Sequence, residues 1–215
     1  MPKPYAISDR ASCLATRKPL QSRKERKMKI GIISDIHADP KALRRALEDM
    51  PSTDVLLCPG DAISEYRFCA ETVELLQQAR VLCIQGNHEQ VLFGGRNPAY
   101  LKKCQATFSA EALGFLATAP VSRDLEFDGA KVLLVHASPW EPYDEYIYPG
   151  SPRLARFATL SHDLVCFGHT HVKAGQVTVV NPGSCSQPRD QDRRGSYAVC
   201  DTYTREVTIH RFALD

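Results

Sequence analysis

Five short apolar segments of the sequence each end on side chains that are able to bind a metal ion. KIGIIS leads to Asp35 and His37, for example, and DVLLCPG leads to Asp61. The complete set is Asp35, His37, Asp61, Asn87, His136, His169 and His171. A single histidine after a strand is usually an ordinary surface or core residue, but five chance occurrences at five strand ends are a poor explanation. We therefore interpret the set as one binding site.

The donor types of this set indicate catalytic metal ions. Imidazole, carboxylate and amide groups are present without any thiolate, which favours Mn²⁺, Fe or Zn²⁺ over a structural cysteine site. Seven ligands exceed the four of one tetrahedral site, and they divide into two sets of four if Asp61 bridges. Two divalent ions with two carboxylates and one hydroxide leave a net charge of about +1, which attracts a phosphate anion.

The elements that carry these residues begin at Met28 in a βαβαβ order. Strand-like runs start at residues 29, 54 and 81, with helical patterns over 41–50 and 68–79 between them. In such sheets ligands gather at the carboxyl ends of the strands, so distant residues converge. Residues 91–119 are mostly helical in pattern, and strands then dominate, apart from a helical pattern at 151–161. This order predicts an α/β fold of two packed β-sheets flanked by helices, rather than a single Rossmann sheet.

Residues 1–27 differ in composition from the remainder of the chain. They hold eight basic and two acidic residues, a net +6, and they lack sustained apolar periodicity. We expect a basic, disordered extension over 1–27 and one domain over 28–215. Since the whole chain carries +2, the domain carries −4, which does not indicate a nucleic-acid-binding face.

The cysteines and the apolar runs bear on the cellular compartment. Eight cysteines form no C-x-x-C pair and follow no secretory segment, and no apolar run approaches the roughly 18 residues of a membrane span. These features predict a cytoplasmic protein with reduced thiols and no membrane partner.

Taken in order, the motifs DIH, GDA, GNHE, a lone His136 and GHTH resemble those of the calcineurin-like metallophosphoesterase superfamily. The resemblance covers nearly all of residues 28–184. Within the superfamily, VVNPGS at 179–184 and HASPWEPYDEYI at 136–147 resemble the small bacterial YfcE-like phosphodiesterases. The resemblance implies an α/β/β/α sandwich and a small phosphoester substrate, with nucleotides among the candidates.

The same resemblance implies a dinuclear mechanism. One metal ion would be held by Asp35, His37, Asp61 and His171, and the other by Asp61, Asn87, His136 and His169. Mn²⁺ is the first expectation, with Fe, Zn²⁺, Ni²⁺ or Co²⁺ as alternatives. A metal-bridging hydroxide would attack the phosphodiester, and His88 would contact the phosphate and protonate the leaving oxygen. Glu89 would support the loop, although an acid in the first turn of a helix is an equally good explanation.

One departure from the superfamily pattern bears on the substrate. Protein Ser/Thr phosphatases and symmetrical dinucleoside-tetraphosphatases read GDxVDRG, whereas Glu65 stands here in place of the phosphate-binding arginine. A carboxylate repels a second phosphate charge, which favours a singly charged diester. The alternatives are a phosphomonoesterase or nucleotide pyrophosphohydrolase on the same site, and a non-catalytic scaffold with this fold. Asp39, where many superfamily members carry asparagine, and Trp140, expected on the rim of the site, leave the specificity open. The residues that select the substrate are expected in the loops around Tyr66, Arg96, Trp140 and Tyr143. Arg189, Arg193 and Arg194 belong either to phosphate binding or to a solvated loop.

Overall fold

The computed structural model describes residues 28–148, 150–168, 171–174 and 177–214. Residues 1–27 lie outside this part of the chain, so the division into an extension and a domain remains a prediction. His169 also lies outside the described residues. For His171 only the backbone is described, as the first residue of a strand.

The first of two five-stranded sheets contains the predicted βαβαβ unit. Its strand order is β10-β9-β1-β2-β3, with β1, β2 and β3 parallel and β9 and β10 added antiparallel. The elements are β1 (Lys29–Ile32), α1 (Pro40–Asp49), β2 (Val55–Cys58), α2 (Ala70–Gln78), β3 (Leu82–Cys83), β9 (Gly195–Asp201) and β10 (Val207–Phe212). Three helices follow β3, namely α3 (Asn87–Phe93), α4 (Pro98–Thr107) and α5 (Ala110–Ala117).

The second sheet is formed by the middle of the chain. Its order is β4-β5-β6-β8-β7, in which β5, β6 and β8 are parallel and the two outer strands are antiparallel to their neighbours. The strands are β4 (Ser122–Phe127), β5 (Ala130–Val135), β6 (Leu164–Cys166), β7 (His171–Ala174) and β8 (Val177–Val180). A 3-10 helix over Pro152–Thr159 connects β5 to β6.

Three apolar clusters show how these layers pack. One lies between the sheets and joins Ile30 and Leu57 of the first sheet to Val132 and Leu134 of the second. Another packs the helices against the outer face of the first sheet, and the third packs the 3-10 helix against the outer face of the second. The predicted class, two packed sheets flanked by helices, is confirmed. None of the described helices has the length and apolar character needed to cross a membrane.

Two elements differ from the sequence-based expectation. The helical pattern at 151–161 forms a 3-10 helix, because its apolar residues Leu154, Phe157 and Leu160 recur every three residues and so align on a helix with three residues per turn. Strand β7 was not predicted, since its short sequence HVKA has no apolar run and gains its strand conformation from antiparallel pairing with β8.

Candidate metal centre

The loops after β1 and β2 are joined backbone to backbone. The N–H groups of Ile36 and His37 both donate to the carbonyl of Asp61, at 2.8 and 2.9 Å, and Asp35 N donates to Gly60 O at 3.3 Å. Asp35, His37 and Asp61 adopt left-handed conformations, with φ between 51° and 54°. Such a conformation is strained for residues other than glycine, and it persists only where surrounding bonds fix it. The two loops therefore present their side chains from one fixed framework.

Glycine makes room for the third loop, which follows β3. A Cβ atom on Gly86 would overlap the Asp61 carboxylate, and one on Gly60 would lie 2.7 Å from the backbone of Gly86. Only glycine allows these loops to approach so closely, so Asn87 and His88 are brought beside Asp61.

Predicted ligands converge at this meeting point of the loops. Carboxylate and imidazole atoms of Asp35, Asp61 and His136 lie within 4.8 Å of one another, and those of His37, Asp61 and His88 form a second such group. Asp61 belongs to both groups. His136 Nε2 lies 3.4 Å from Asp61 Oδ2 and 3.0 Å from Asn87 Oδ1. The structure thus brings together five of the seven predicted ligands: Asp35, His37, Asp61, Asn87 and His136.

The buried charges of the cluster favour a cation. Burial alone lowers the pKa of His136, but Asp61 and Asp35 outweigh it and raise that pKa to about 10. Burial lowers the pKa of His37, and the two carboxylates oppose this effect without reversing it. In both histidines the carboxylates act to favour positive charge, which is the field that a bound cation requires.

The cluster also has the free lone pairs that a metal ion requires. Asp35 Oδ2 and His37 Nδ1 are buried and have no hydrogen-bond partner among the described residues, and a buried polar atom without a partner costs about 1–3 kcal/mol. His136 Nδ1 lies 2.7 Å from the Pro59 carbonyl and donates its proton there, so Nε2 faces the cluster as the potential ligand atom. The residues fit a divalent metal ion.

His88 faces the same cluster from the first turn of α3. The backbone N–H of Glu65 donates to His88 Nδ1 at 2.9 Å, so the ring proton of a neutral His88 sits on Nε2. His88 Nε2 lies 3.7 Å from Asp61 Oδ2, and the His88 and His37 rings meet edge to face at 4.9 Å. His88 thus directs an N–H donor towards the centre.

Glu89 connects the loop after β2 to the loop after β3 by hydrogen bonds. It is fully buried, and its carboxylate accepts hydrogen bonds from the N–H groups of Asp61 (3.0 Å), Ile63 (3.0 Å) and Gly86 (2.8 Å). Burial, followed by the charge of Asp61, raises the Glu89 pKa to about 7. The structure therefore places Glu89 as a support for the loop, in agreement with the sequence-based expectation.

The loop after β8 is anchored to the loop after β1 by two serines. Ser184 Oγ donates to Asp35 O at 2.9 Å, and Ser186 Oγ donates to Ile36 O at 2.8 Å. The backbone N–H of Cys185 adds a bond to Ser34 O at 2.9 Å. Sequence reasoning singled out the NPGS motif but gave no role to these hydroxyl groups.

A cleft opens above the cluster and is lined by the loop after β5 and the loop after β8. Besides Asp35, His37, Asp61, His88 and His136, its polar or aromatic lining residues are Tyr143, Glu145, Tyr146, Tyr148, Gln187 and Arg189. Of these, only Tyr143 and Arg189 were considered from the sequence. The run of tyrosines in PYDEYIY shortly after His136 was the available signal for the others.

Two polar or aromatic residues singled out in the sequence have structural roles instead. Trp140 was expected on the rim, which is wrong: its indole ring packs edge to face on Phe157, at 5.2 Å, and lies under the Arg156 guanidinium at 4.0 Å. Asp39 is the N-cap of α1, since its carboxylate accepts from Lys41 N and Ala42 N.

Comparisons with known proteins show which proteins this chain resembles. The chain is 28% identical to the uncharacterized protein MJ0912 of Methanocaldococcus jannaschii, over 88% of this chain and 89% of that protein. It is also 28% identical to a metallophosphoesterase of known structure from Sphaerobacter thermophilus, with a TM-score of 0.72 over 88% of this chain and 90% of that one. The phosphoesterase YfcE of E. coli shares the fold, with 18% identity and a TM-score of 0.52 over 87% of this chain and 100% of that one.

The profile of the calcineurin-like phosphoesterase superfamily domain matches residues 28–205, which contain every loop of the cluster. This match and the superfamily resemblance of the motifs support one conclusion: the chain belongs to the calcineurin-like phosphoesterase superfamily.

Proposed function

We propose that this protein is a dinuclear metal-dependent phosphodiesterase. The observation that carries the proposal is the position of Asp61, whose buried carboxylate belongs to both groups of potential metal ligands. A single carboxylate shared in this way is suited to bridge two ions. A non-catalytic scaffold would need neither this ligand set nor an imidazole N–H directed towards it.

The two groups share Asp61 but place Asp35 with His136 and His37 with His88, so the division of the other residues between the two metal sites follows the superfamily resemblance. In the proposal, Asp35, His37 and His171 complete one metal site, and Asn87, His136 and His169 complete the other. Bound divalent ions would supply a water nucleophile of lowered pKa and positive charge for the phosphoryl oxygens. We take Mn²⁺ as the first candidate because the donors are oxygen and imidazole nitrogen.

The protein's own contributions are orientation and hydrogen bonding. His88 Nε2–H donates to a phosphoryl or leaving-group oxygen placed over the cluster. The bond from Glu65 N to His88 Nδ1 keeps the ring in that orientation. Asp61 Oδ1 accepts from His88 N at 3.1 Å, which ties the histidine to the shared carboxylate.

A phosphodiester is the preferred substrate because Glu65 replaces the superfamily's phosphate-binding arginine in this chain. Glu65 is half-buried, and its own N–H group is bonded to the His88 ring. A phosphomonoester brings a second negative charge to this region, whereas a diester brings one. With a carboxylate in place of that arginine, the second charge lacks its cationic partner, which penalises the monoester more than the diester.

The test compares two nitrophenyl esters on protein freed of metal and reloaded with Mn²⁺. We expect turnover to return with the metal and kcat/KM for bis(4-nitrophenyl) phosphate to exceed that for 4-nitrophenyl phosphate by about tenfold, a difference of ~1.4 kcal/mol. Equal or faster turnover of the monoester would favour the phosphomonoesterase alternative. Absence of metal-dependent turnover on either ester would reject the proposal.

Metal content provides an independent readout. Asp61→Asn should weaken both sites, because an amide lacks the negative charge needed to bridge two cations. Asp39→Asn is the matched control, since Asp39 caps α1 and asparagine caps a helix equally well. Two tightly bound ions per chain in the Asp61 variant would contradict the bridging assignment.

A further inference from the structure

The charge on the walls of the cleft is unevenly distributed. Arg189 is the one lysine or arginine among the described residues that line it. Glu65, which replaces the superfamily's phosphate-binding arginine, supplies no positive charge. An anion outside the metal cluster therefore finds its favourable charge at Arg189.

The Arg189 guanidinium is not neutralised by a neighbouring acid. Asp190 and Asp192, which follow Arg189 in the sequence, both pair with Arg211. Glu145, the other carboxylate on this side of the cleft, is held by Arg153 at 2.9 Å and by Arg156 at 3.8 Å. Within the described part of the chain Arg189 forms no ion pair with a carboxylate.

The backbone that carries Arg189 is fixed to the metal-binding loop. Ser184 Oγ donates to Asp35 O and accepts from Gln187 N at 2.8 Å, while Ser186 Oγ donates to Ile36 O. These bonds hold the segment up to Gln187, two residues before Arg189. An exposed arginine on such an anchored segment is better placed for binding than one on a free loop.

Tyr146 lines the same cleft as Arg189 and the cluster. Burial raises the Tyr146 pKa, Arg189 lowers it, and Asp61 and Asp35 raise it further, so this hydroxyl lies within electrostatic reach of both the guanidinium and the cluster. Tyr146 and Tyr148 are 47% and 61% exposed, and both line the cleft. The organic part of a substrate thus finds aromatic residues in the same cleft as Arg189 and the cluster.

We propose that Arg189 binds a second anionic group on the substrate, so that the preferred ester carries a further negative charge on the part that is not cleaved. The inference rests on the proposed function, because the scissile phosphate is assigned to the metal cluster and His88. It specifies the substrate as a phosphodiester linked through an organic spacer to a second phosphate or carboxylate, a combination that nucleotides provide.

The test uses three 4-nitrophenyl diesters that differ only in the retained group: the methyl ester, the thymidine 5′-ester, and the same thymidine ester with a 3′-phosphate. Arg189→Gln should lower kcat/KM for the 3′-phosphorylated ester by roughly 10- to 100-fold, the loss of a charge-assisted hydrogen bond, and change the other two less than about threefold. Arg193→Gln, which removes a positive charge from the same segment outside the cleft, should change none of them.

Binding of products tests the same point without turnover. In calorimetry, thymidine 3′,5′-bisphosphate should bind the wild-type protein more tightly than thymidine 5′-monophosphate, and Arg189→Gln should abolish the difference. Equal losses on all three esters would assign Arg189 to the scissile phosphate and overturn the inference. Unchanged kinetics and binding would make Arg189 a solvated loop residue. Failure of the proposed function is recognised separately, as a lack of metal-dependent turnover in the wild-type protein.

Discussion

Asp61 shows how one residue combines backbone strain with several bonds. Its carbonyl accepts two backbone N–H groups, its own N–H donates to Glu89, and its carboxylate accepts from His88 N. Its φ of 54° costs of order 1–3 kcal/mol for a residue other than glycine, and these bonds maintain the conformation. The carboxylate is consequently fixed before any substrate arrives, as electrostatic catalysis requires.

The hydrogen bond from Glu65 N–H leads to a prediction for His88. In a doubly protonated ring, Nδ1–H would point at the Glu65 N–H, and two donors would face each other. The bond therefore favours a His88 that donates a hydrogen bond through Nε2–H over a His88 that transfers a proton. We expect His88→Ala to retain metal and to lose roughly 10²- to 10³-fold in kcat on both an alkyl and a nitrophenyl leaving group. Steady-state kinetics on the paired diesters measure the two losses.

His88→Gln is the matched variant, because its amide also offers N–H donors and should recover part of the loss. A much larger loss on the alkyl leaving group, without recovery by glutamine, would show that His88 protonates the leaving oxygen. Unchanged turnover in both variants would remove His88 from the mechanism.

At the residue scale, the sequence predicts the cluster better than its surroundings. Asp35 and Asp61 follow parallel strands of one sheet, which bring their carboxyl ends to one edge by geometry alone, and His136 follows an apolar strand of the sheet packed against it. The cleft wall depends on loops without periodicity, so nothing in the sequence distinguishes Trp140, which packs on Phe157, from Tyr146, which lines the cleft.

At the scale of elements, the centre depends on loops that are tied to one another. Glu89 lies on α3, yet it accepts N–H groups from the loop after β2 and the loop after β3. The serines of the loop after β8 complete the assembly by bonding to the loop after β1. These bonds between loops fix conformations that the sequence of any one loop does not determine.

Glu89→Gln tests this coupling. In the wild-type protein both carboxylate oxygens of Glu89 accept backbone N–H groups. In the variant one of these oxygens is replaced by an NH₂ group, which cannot accept a hydrogen bond, so at least one buried N–H loses its acceptor. We expect the free energy of unfolding to fall by about 1–3 kcal/mol and metal affinity to fall roughly 10- to 100-fold. Thermal unfolding with chelator and a metal titration measure the two effects.

Glu74→Gln on α2 is the control for this prediction, because Glu74 is exposed and its substitution should change neither quantity. If the Glu89 and Glu74 variants behave alike, the buried carboxylate does not hold the loops together.

The sequence predicts the elements that have strong apolar periodicity. It does not predict a strand that forms only because it pairs with a neighbouring strand. The predicted parallel unit from β1 to β3 is confirmed. It could be predicted because its strands and helices each carry a regular apolar pattern. Strand β7 becomes visible only through its pairing with β8, which is a long-range property that a local pattern does not contain.

At the scale of the whole molecule, the two sheets form a closed core around β1. This strand pairs with β2 on one side and β9 on the other, and Ile30 and Ile32 are fully buried against the second sheet. Both edges of β1 are thus occupied by residues from 28–214, and its inward side chains have partners there.

This closed arrangement leads to the prediction that a protein starting at Met28 keeps the stability and activity of the full chain. Residues 1–27 carry +6 and no apolar periodicity, so they offer little surface to bury against the core. We expect the free energy of unfolding to change by less than about 1 kcal/mol, which corresponds to a shift in Tm of at most ~2–4 °C for a protein of this size.

Calorimetry and diester turnover of the two proteins, at low and at high salt, measure the effect and separate any long-range contribution of the +6 charge, which salt screens. A protein starting at Ser34 is the control, because it lacks β1 entirely and should not fold. If starting at Met28 instead lowers Tm by many degrees at both salt concentrations, then residues 1–27 pack on the domain and the boundary proposed from the sequence is misplaced.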